Sequence, residues 1–281
     1  MEGTGAKPGP MHMAGPLVAL GRDGLLPSAA YVRILVANDD GIYSPGLRAL
    51  AHTAREFGDV RIVAPDVEQS SMGHAITHSR PLRIRRTPID DFDAYRVNGT
   101  PADCVALGVD GWGGADLVLS GINLGYNLGN SMWHSGTLAA AKQAALLGTR
   151  GIALSASTGG DEPDFARLEP FVTQVLSVLI PEQAVQLVNV NFPQAPTGLQ
   201  WTRQSVRHYD GRVVPDEDPM GRKLYWISIR PLEEVEDGTD RWAVRNNLVS
   251  LTPLRLDLTD HDALTQVRAR LAVPEAEEAP R

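Results

Sequence analysis

Apolar residues in this chain gather in short runs, and each run breaks off at a polar or glycine-containing stretch. The first, from Val32 to Ala37, is rich in β-branched residues and ends in Asn38-Asp39-Asp40-Gly41. That pattern predicts a buried strand running into a loop. From Pro45 to Phe57 the spacing changes: Leu47, Leu50, Ala51 and Ala54 share one helical face, Pro45 suits a first helical turn and Ser44 a cap. A second strand pattern, Val60 to Ala64, stops at Pro65-Asp66. Strand, helix and strand in this order imply parallel pairing with a right-handed crossover.

The alternation continues. Asp116 to Ser120 predicts a strand that enters the glycine-rich stretch Gly121 to Gly136, after which a helix runs from near Thr137 through alanine-rich sequence to Leu147, with Gly148 as its stop. Gly151 to Ser155 predicts another strand, Phe165 to Leu179 a helix, and Val185 to Phe192 a further buried strand. The expected fold class is therefore α/β, an open and mostly parallel sheet with helices on both faces, filling residues 31–198. From about Gln200 short alternating stretches, Leu224 to Ile229 and Val249 to Leu251, lie between charged, Gly- and Pro-containing turns. They predict a hairpin-rich region over 199–265, followed by a tail over 266–281. Residues 1–30 are rich in Gly, Pro and Met without periodicity and are expected to be a disordered leader, with Met11 and Met13 as alternative starts.

Composition narrows the function classes. The chain has 281 residues and is 43% hydrophobic, enough for a substantial core. Its formal net charge of -8 argues against affinity for a nucleic-acid duplex, which needs clustered basic residues. A bound cation could still reverse the field locally. The one cysteine, Cys104, excludes an intramolecular disulfide and is read as a small buried hydrophobe. No run reaches the roughly 18 apolar residues of a membrane span, so a cytoplasmic protein with no membrane partner is expected.

The candidate chemistry sits where strands end. Asp39 and Asp40 follow the first strand, Ser70 the second, and Asn123 the strand that begins at Asp116. In open parallel sheets ligands bind beyond the carboxyl ends of the strands, so all three clusters belong on one edge. Adjacent carboxylates repel, and a divalent cation would relieve that, although Asp-Gly also makes an ordinary turn. With Ser70 and Asn123 the donors are all oxygen, which suits Mg²⁺ or Mn²⁺ better than Zn²⁺. In the stretch from Ser120 to Thr137, Asn127, Ser135 and Thr137 offer neutral donors, and Gly136 and Thr137 open a helix whose free N–H groups favour an anion such as phosphate. His74 and His134 are read as structural or exposed, and Asp90-Asp91 as solvated surface.

These clusters resemble the SurE (survival protein E) family. The resemblance is carried by the run from Arg33 to Asn38-Asp39-Asp40-Gly41, by Val63 to Asp66 with Ser70, and by Asn98-Gly99-Thr100-Pro101-Ala102-Asp103-Cys104. It continues in Ser120-Gly121-Ile122-Asn123 through Ser135-Gly136-Thr137 and in the later stretches Val188 to Pro193, Asp216 to Trp226 and Val249 to Leu254, so that it covers roughly residues 32–265. It implies a Rossmann-like phosphatase acting on nucleoside 5′- and 3′-monophosphates, and sometimes on short polyphosphate, with one Mg²⁺ or Mn²⁺ per subunit. It implies metal ligation by Asp39, Asp40, Ser70 and Asn123, and a phosphate loop of Asn127, Ser135, Gly136 and Thr137. A homodimer or homotetramer that exchanges C-terminal elements is implied as well.

His134 stands where the family often has Tyr, Gln143 where the helix often has Glu, and Asn246-Asn247-Leu248 in place of an acidic-Gly-Tyr run. The expected mechanism is metal-assisted hydrolysis, with Asn127 and Ser135 stabilising phosphoryl charge. Either Asp39 or Asp40 serves as base or nucleophile. The rival from another class is a nucleotide-binding stress protein without catalysis. A haloacid-dehalogenase-type phosphatase would want Asp at positions i and i+2 after the first strand, and position 41 is Gly.

Overall fold

The structure is a computed structural model, and it describes residues 32–160, 162–205, 211–229 and 235–271. The expected leader over 1–30 lies outside the described residues. Strand β1 (Val32–Ala37) is flanked by two parallel neighbours, β2 (Gly58–Pro65) and β5 (Leu117–Leu124). Its residues alternate between two cores. Ile34 and Val36 join one cluster, with Leu47, Leu50 and Ala51 of α1 (Pro45–Ala54) and Val172, Val175 and Leu176 of α4 (Phe165–Leu179). Leu35 and Ala37 join the other, with Cys104 and Val105 of α2 (Pro101–Gly111) and Ala140 and Ala144 of α3 (Gly136–Leu146). A strand buried on both faces must be apolar at every buried position, which is why β1 reads as a continuous apolar run from Ile34 to Ala37. Cys104 is fully buried there, and burial pushes its thiol well above the ordinary range.

The remaining strands extend the sheet outwards. With β3 (Ile84–Arg86), β4 (Asp93–Val97), β6 (Arg150–Ala156), β7 (Leu187–Phe192), β8 (Gly198–Trp201) and β11 (Leu248–Pro253), the order is β3-β4-β2-β1-β5-β6-β7-β11-β8. Pairing is parallel from β4 through β7 and again between β11 and β8, and antiparallel for β3 with β4 and for β7 with β11. Chain order reverses at β1, where β2 lies on one side and β5 on the other. That switch point opens a crevice at the carboxyl ends of β1 and β5.

The expectation for the C-terminal part of the chain changes. Val249 to Leu251, expected in a hairpin, belongs to β11 inside the main sheet, so residues 198–201 and 248–253 are part of the sheet and do not lie beside it. Polar residues alternate with apolar ones in β11, but Ser250 and Thr252 are buried beside Asn191 and Asn189 of β7 and do not face water. Alternation therefore marked a buried polar seam. The pair Asp90-Asp91 is exposed, as expected, and forms surface ion pairs with α1 and the residue after it: Asp90 accepts from Arg48 at 2.6 Å and contacts His52 at 2.8 Å, and Asp91 pairs with Arg55 at 2.8 Å. The stretch around 224–229 does form a hairpin, β9 (Gly211–Glu217) with β10 (Lys223–Ile229), as a separate two-stranded sheet. Helices α5 (Asp240–Arg245) and α6 (His261–Arg270) follow, and α6 crosses the position where a tail was expected to begin; residues 272–281 of that tail lie outside the described residues.

If β11 is part of the core, Leu251→Ala, at a site 1% exposed, should lower the unfolding free energy by about 2–5 kcal/mol. Urea denaturation measures it, and a loss under about 0.5 kcal/mol would make β11 peripheral.

Candidate active site

The crevice is built by three loops that bind one another through their backbones. Asn38, fully buried, closes the turn after β1: its Nδ2 donates to the Gly41 carbonyl at 3.0 Å and its Oδ1 accepts from the Gly41 N–H at 3.2 Å. This braces Asp39-Asp40 from behind. The Gln69 N–H donates to the Asp39 carbonyl at 2.8 Å, and the Ile42 N–H to the Pro65 carbonyl at 2.9 Å, so the loop after β2 lies against the loop after β1. The Leu124 N–H faces the Asp40 carboxylate, which brings in the third segment beside Asn123. A register shift between Ser120 and Asn123 in the pairing of β5 with β6 is the kind of bulge that re-aims side chains at a strand end. Asp39, Asp40, Ser70 and Asn123 are thus gathered at one sheet edge.

Their surroundings are anionic. Asp39 is buried at 4% exposure. Burial raises its pKa above the ordinary carboxylate value, against hydrogen bonding from Thr137 and with a further push from the charge of Glu68. Asp40 is half-buried; burial first, then the charges of Asp39 and Glu68, push it up to about 6. Among the described residues, Asp40 Oδ2 is buried without a hydrogen-bond partner. Buried polar atoms in folded proteins are nearly always partnered, so an unpartnered carboxylate oxygen beside a second carboxylate is a place for a cation. Ser70 is exposed and its Oγ donates to Glu68 Oε1 at 2.6 Å. Asn123 Nδ2 donates to the Gly125 carbonyl at 2.7 Å, which turns its carboxamide oxygen the other way. No group of three His, Cys, Asp or Glu suited to a metal occurs among the described residues. An ion here would rest on two carboxylates and neutral oxygens, a hard donor set that fits Mg²⁺ or Mn²⁺.

The glycine-rich side of the crevice differs from expectation in which groups face outward. Thr137, fully buried, donates its hydroxyl to Asp39 Oδ1 at 2.7 Å. Asn127 donates Nδ2 to Ser155 Oγ at 2.9 Å and, more weakly, to Thr137 Oγ1 at 3.4 Å. Both side chains, expected to hold a phosphate, are engaged inward as braces. Ser135 caps α3 by accepting the Leu138 N–H at 3.0 Å, which leaves its own hydroxyl hydrogen able to donate. A Cβ at Gly136 would lie 2.7 Å from Asp39 Cβ, so the start of α3 meets Asp39 closely enough to require glycine. Asp39 is thus the first anion served by the positive end of α3.

Sequence reasoning missed Glu68, whose charge acts on both aspartates, and the bracing roles of Asn38, Ser155, Asn189 and Asn191. Asn191 Oδ1 accepts the Asn127 N–H at 2.9 Å, and Asn189 Nδ2 donates to the Asn127 carbonyl at 2.7 Å. A signal existed: two asparagines two residues apart in an otherwise apolar strand share one face and need partners. His74 Nε2 lies 2.9 Å from Gln143 Oε1, and the Gly73 N–H donates to the His134 carbonyl at 3.1 Å, so the Ser70 loop also leans on the glycine-rich loop.

Comparison with known proteins is decisive at this point. The family model described as Survival protein SurE matches residues 34–211. The chain belongs to the SurE family. SurE relatives include a 5′-nucleotidase SurE 1 of Thermus thermophilus, 50% identical over 240 residues, which is 83% of this chain and 95% of the relative. A 5′-nucleotidase SurE of Deinococcus radiodurans is 43% identical over 256 residues, 86% of this chain and 94% of the relative. The crystal structure of a SurE protein from Aquifex aeolicus superposes with a TM-score of 0.73 at 39% identity, covering 84% of this chain and 98% of that one. The nine-stranded, mostly parallel sheet is thus that of a SurE protein.

The anionic crevice makes two opposite expectations for protein kept in EDTA. Thr137→Val strips Asp39 of its hydroxyl donor and should cost about 1–3 kcal/mol. Asp40→Asn removes a buried charge with an unpartnered oxygen and should stabilise by on the order of 1 kcal/mol. Paired thermal melts distinguish them; a destabilised Asp40→Asn would mean that the carboxylate is already satisfied within the chain.

Proposed function

We propose that this SurE protein is a divalent-metal-dependent phosphomonoesterase that converts nucleoside 5′- and 3′-monophosphates to nucleoside and phosphate in the cytoplasm. The observation that carries the reading is the unpartnered buried oxygen of Asp40 beside Asp39, at the switch point of the sheet and against the start of α3. Relatives 50% and 43% identical over most of the chain bear the name 5′-nucleotidase, which supports the substrate class.

In this reading Asp39, Asp40, Ser70 and Asn123 hold Mg²⁺ or Mn²⁺, which when bound supplies positive charge to polarise the phosphoryl group and acidify water. Ser135 donates its hydroxyl to a phosphoryl oxygen, and the free N–H at Gly136 faces the same anion. Asn127 contributes through the loop that it locks, with Ser155 and Thr137 holding its carboxamide. Asp39 is fixed to Thr137 and to the helix end, so Asp40, with an uncommitted oxygen, is the better placed of the two to accept a proton. Subunit contacts follow from the hairpin: Val213, Tyr225 and Ile227 are each more than 60% exposed, and Ile227 lies opposite Val213 across the strand pair. A cluster of that kind marks an interaction surface, and a homo-oligomer is its simplest occupant.

The test is hydrolysis of AMP and of p-nitrophenyl phosphate by purified protein with Mn²⁺ or Mg²⁺. EDTA should abolish both activities, added metal should restore them, and Asp40→Asn should lower kcat/KM by about 10²-fold or more. Mn²⁺ at a hundred times its Kd should stabilise the wild type by about 2.7 kcal/mol and leave the variant's melting temperature almost unmoved. Nucleotide binding without any turnover would instead make the chain a non-hydrolysing nucleotide-binding protein.

A further inference from the structure

Asp240 is a fully buried carboxylate far in sequence from the crevice. Its Oδ2 accepts the Gly129 N–H at 2.8 Å, and its Oδ1 accepts the N–H groups of Ser205 at 3.0 Å and Arg241 at 2.8 Å. Three backbone donors satisfy it. One of them belongs to the glycine-rich loop, two residues beyond Asn127.

The contact is tight from both sides. Gly129 has φ +55, and a Cβ there would lie 2.7 Å from Ser205 Oγ and 2.8 Å from the Ser205 carbonyl oxygen. The Gly129 carbonyl in turn accepts from Gln204 Nε2 at 3.1 Å. Residues 203–205 and 236–240 are themselves laced together: the Arg203 N–H donates to the Gly238 carbonyl, the Asp240 N–H to the Arg203 carbonyl, and Arg203 pairs with Glu236 at 2.7 Å. These two segments precede and follow the β9–β10 hairpin in the chain.

We infer that Asp240 is a positioning residue for the phosphate side of the site, fixing the path of the loop from Asn127 to Ser135. The backbone at Asn127 is locked by Asn189 and Asn191, and the direction in which the chain leaves Asn127 is set at Gly129 by Asp240. The segments that flank the hairpin in the chain are thereby part of the loop's support upstream of Ser135. The inference rests on the phosphatase reading for its kinetic consequence but not for the tether.

Two variants attack the junction from opposite sides. Asp240→Asn replaces one acceptor oxygen with an amide donor, and Gly129→Ala inserts a Cβ at a strained backbone position against Ser205. In each, the KM for AMP should rise about tenfold or more, while the Mn²⁺ concentration for half-maximal activity stays at the wild-type value. Hydrogen-exchange mass spectrometry should find the peptide covering 127–135 exchanging faster than in the wild type. The inference is overturned if folded variants keep wild-type exchange, if exchange rises while KM is unchanged, or if the Mn²⁺ requirement rises in step with KM. Should Asp240→Asn fail to fold, Gly129→Ala and Gln204→Ala carry the same readings. If the wild type hydrolyses no nucleotide, the phosphatase reading alone fails; exchange of the 127–135 peptide, with inorganic phosphate affinity by calorimetry, then decides whether Asp240 holds the loop.

Discussion

The site depends on one arrangement: a buried carboxylate, Asp39, lodged against the start of α3. Burial works against its charge, and two things offset part of that penalty, the Thr137 hydroxyl at 2.7 Å and the positive end of the helix. Both require the helix to begin where it does. Ser135 caps it, and Gly136 has no side chain to hold Asp39 away. Once Asp39 is satisfied in this way, the repulsion between neighbouring carboxylates falls on Asp40, whose Oδ2 has no partner among the described residues. One aspartate is anchored; the other is left electrostatically frustrated. That division of roles leaves an anionic edge suited to the cation proposed above.

The same logic explains the polar residues inside the sheet. Asn189, Asn191 and Ser155 are fully buried in strands that otherwise carry apolar side chains. Burying them is costly, and the backbone and carboxamide of Asn127 offset much of that cost, although Asn189 Oδ1 is buried without a partner among the described residues. Such a network specifies one conformation of the loop, because any other leaves several polar atoms unpaired in a low-dielectric interior. The antiparallel strand β11 then covers this seam with Ser250 and Thr252, and Thr252 contacts Thr202 at 2.8 Å. The C-terminal part of the chain is in this sense a wall of the active crevice.

Much of the fold was legible because it obeys simple periodicities. β1, the first helix and α4 follow from their hydrophobic spacing, and Phe165–Leu179 matches its expected bounds. The shared placement of Asp39, Asp40, Ser70 and Asn123 at one edge was legible because strand ends in a parallel sheet meet there. What escaped had competing signals. Thr100-Pro101 and Asp103 form a full capping box for α2, with the Asp103 N–H donating to Thr100 Oγ1 at 3.1 Å and Asp103 Oδ2 accepting the Thr100 N–H at 2.9 Å, yet that stretch drew attention as a motif and not as a helix start. The short strand β4 alternates too briefly to stand out from a loop. β11 alternates as a half-exposed strand would, and nothing local reveals that its polar face is buried.

Side-chain direction was the least legible property of all. Residue type identified Asn127 and Thr137 as donors beside an anion site, but donors act on whatever lies nearest, and here that is Ser155 and Asp39. The distinction matters for how the site discriminates. Side chains already committed to buried partners cannot reorganise cheaply around a ligand, so in the proposed reading recognition of a phosphate falls to groups with an uncommitted hydrogen, the Ser135 hydroxyl and the amide of the first helical turn. A rigid cradle of that kind stabilises developing charge without first having to reorient its dipoles. In that reading the braces behind it, from Thr137 to the asparagines of β7, are as necessary to the chemistry as the groups that would touch the substrate.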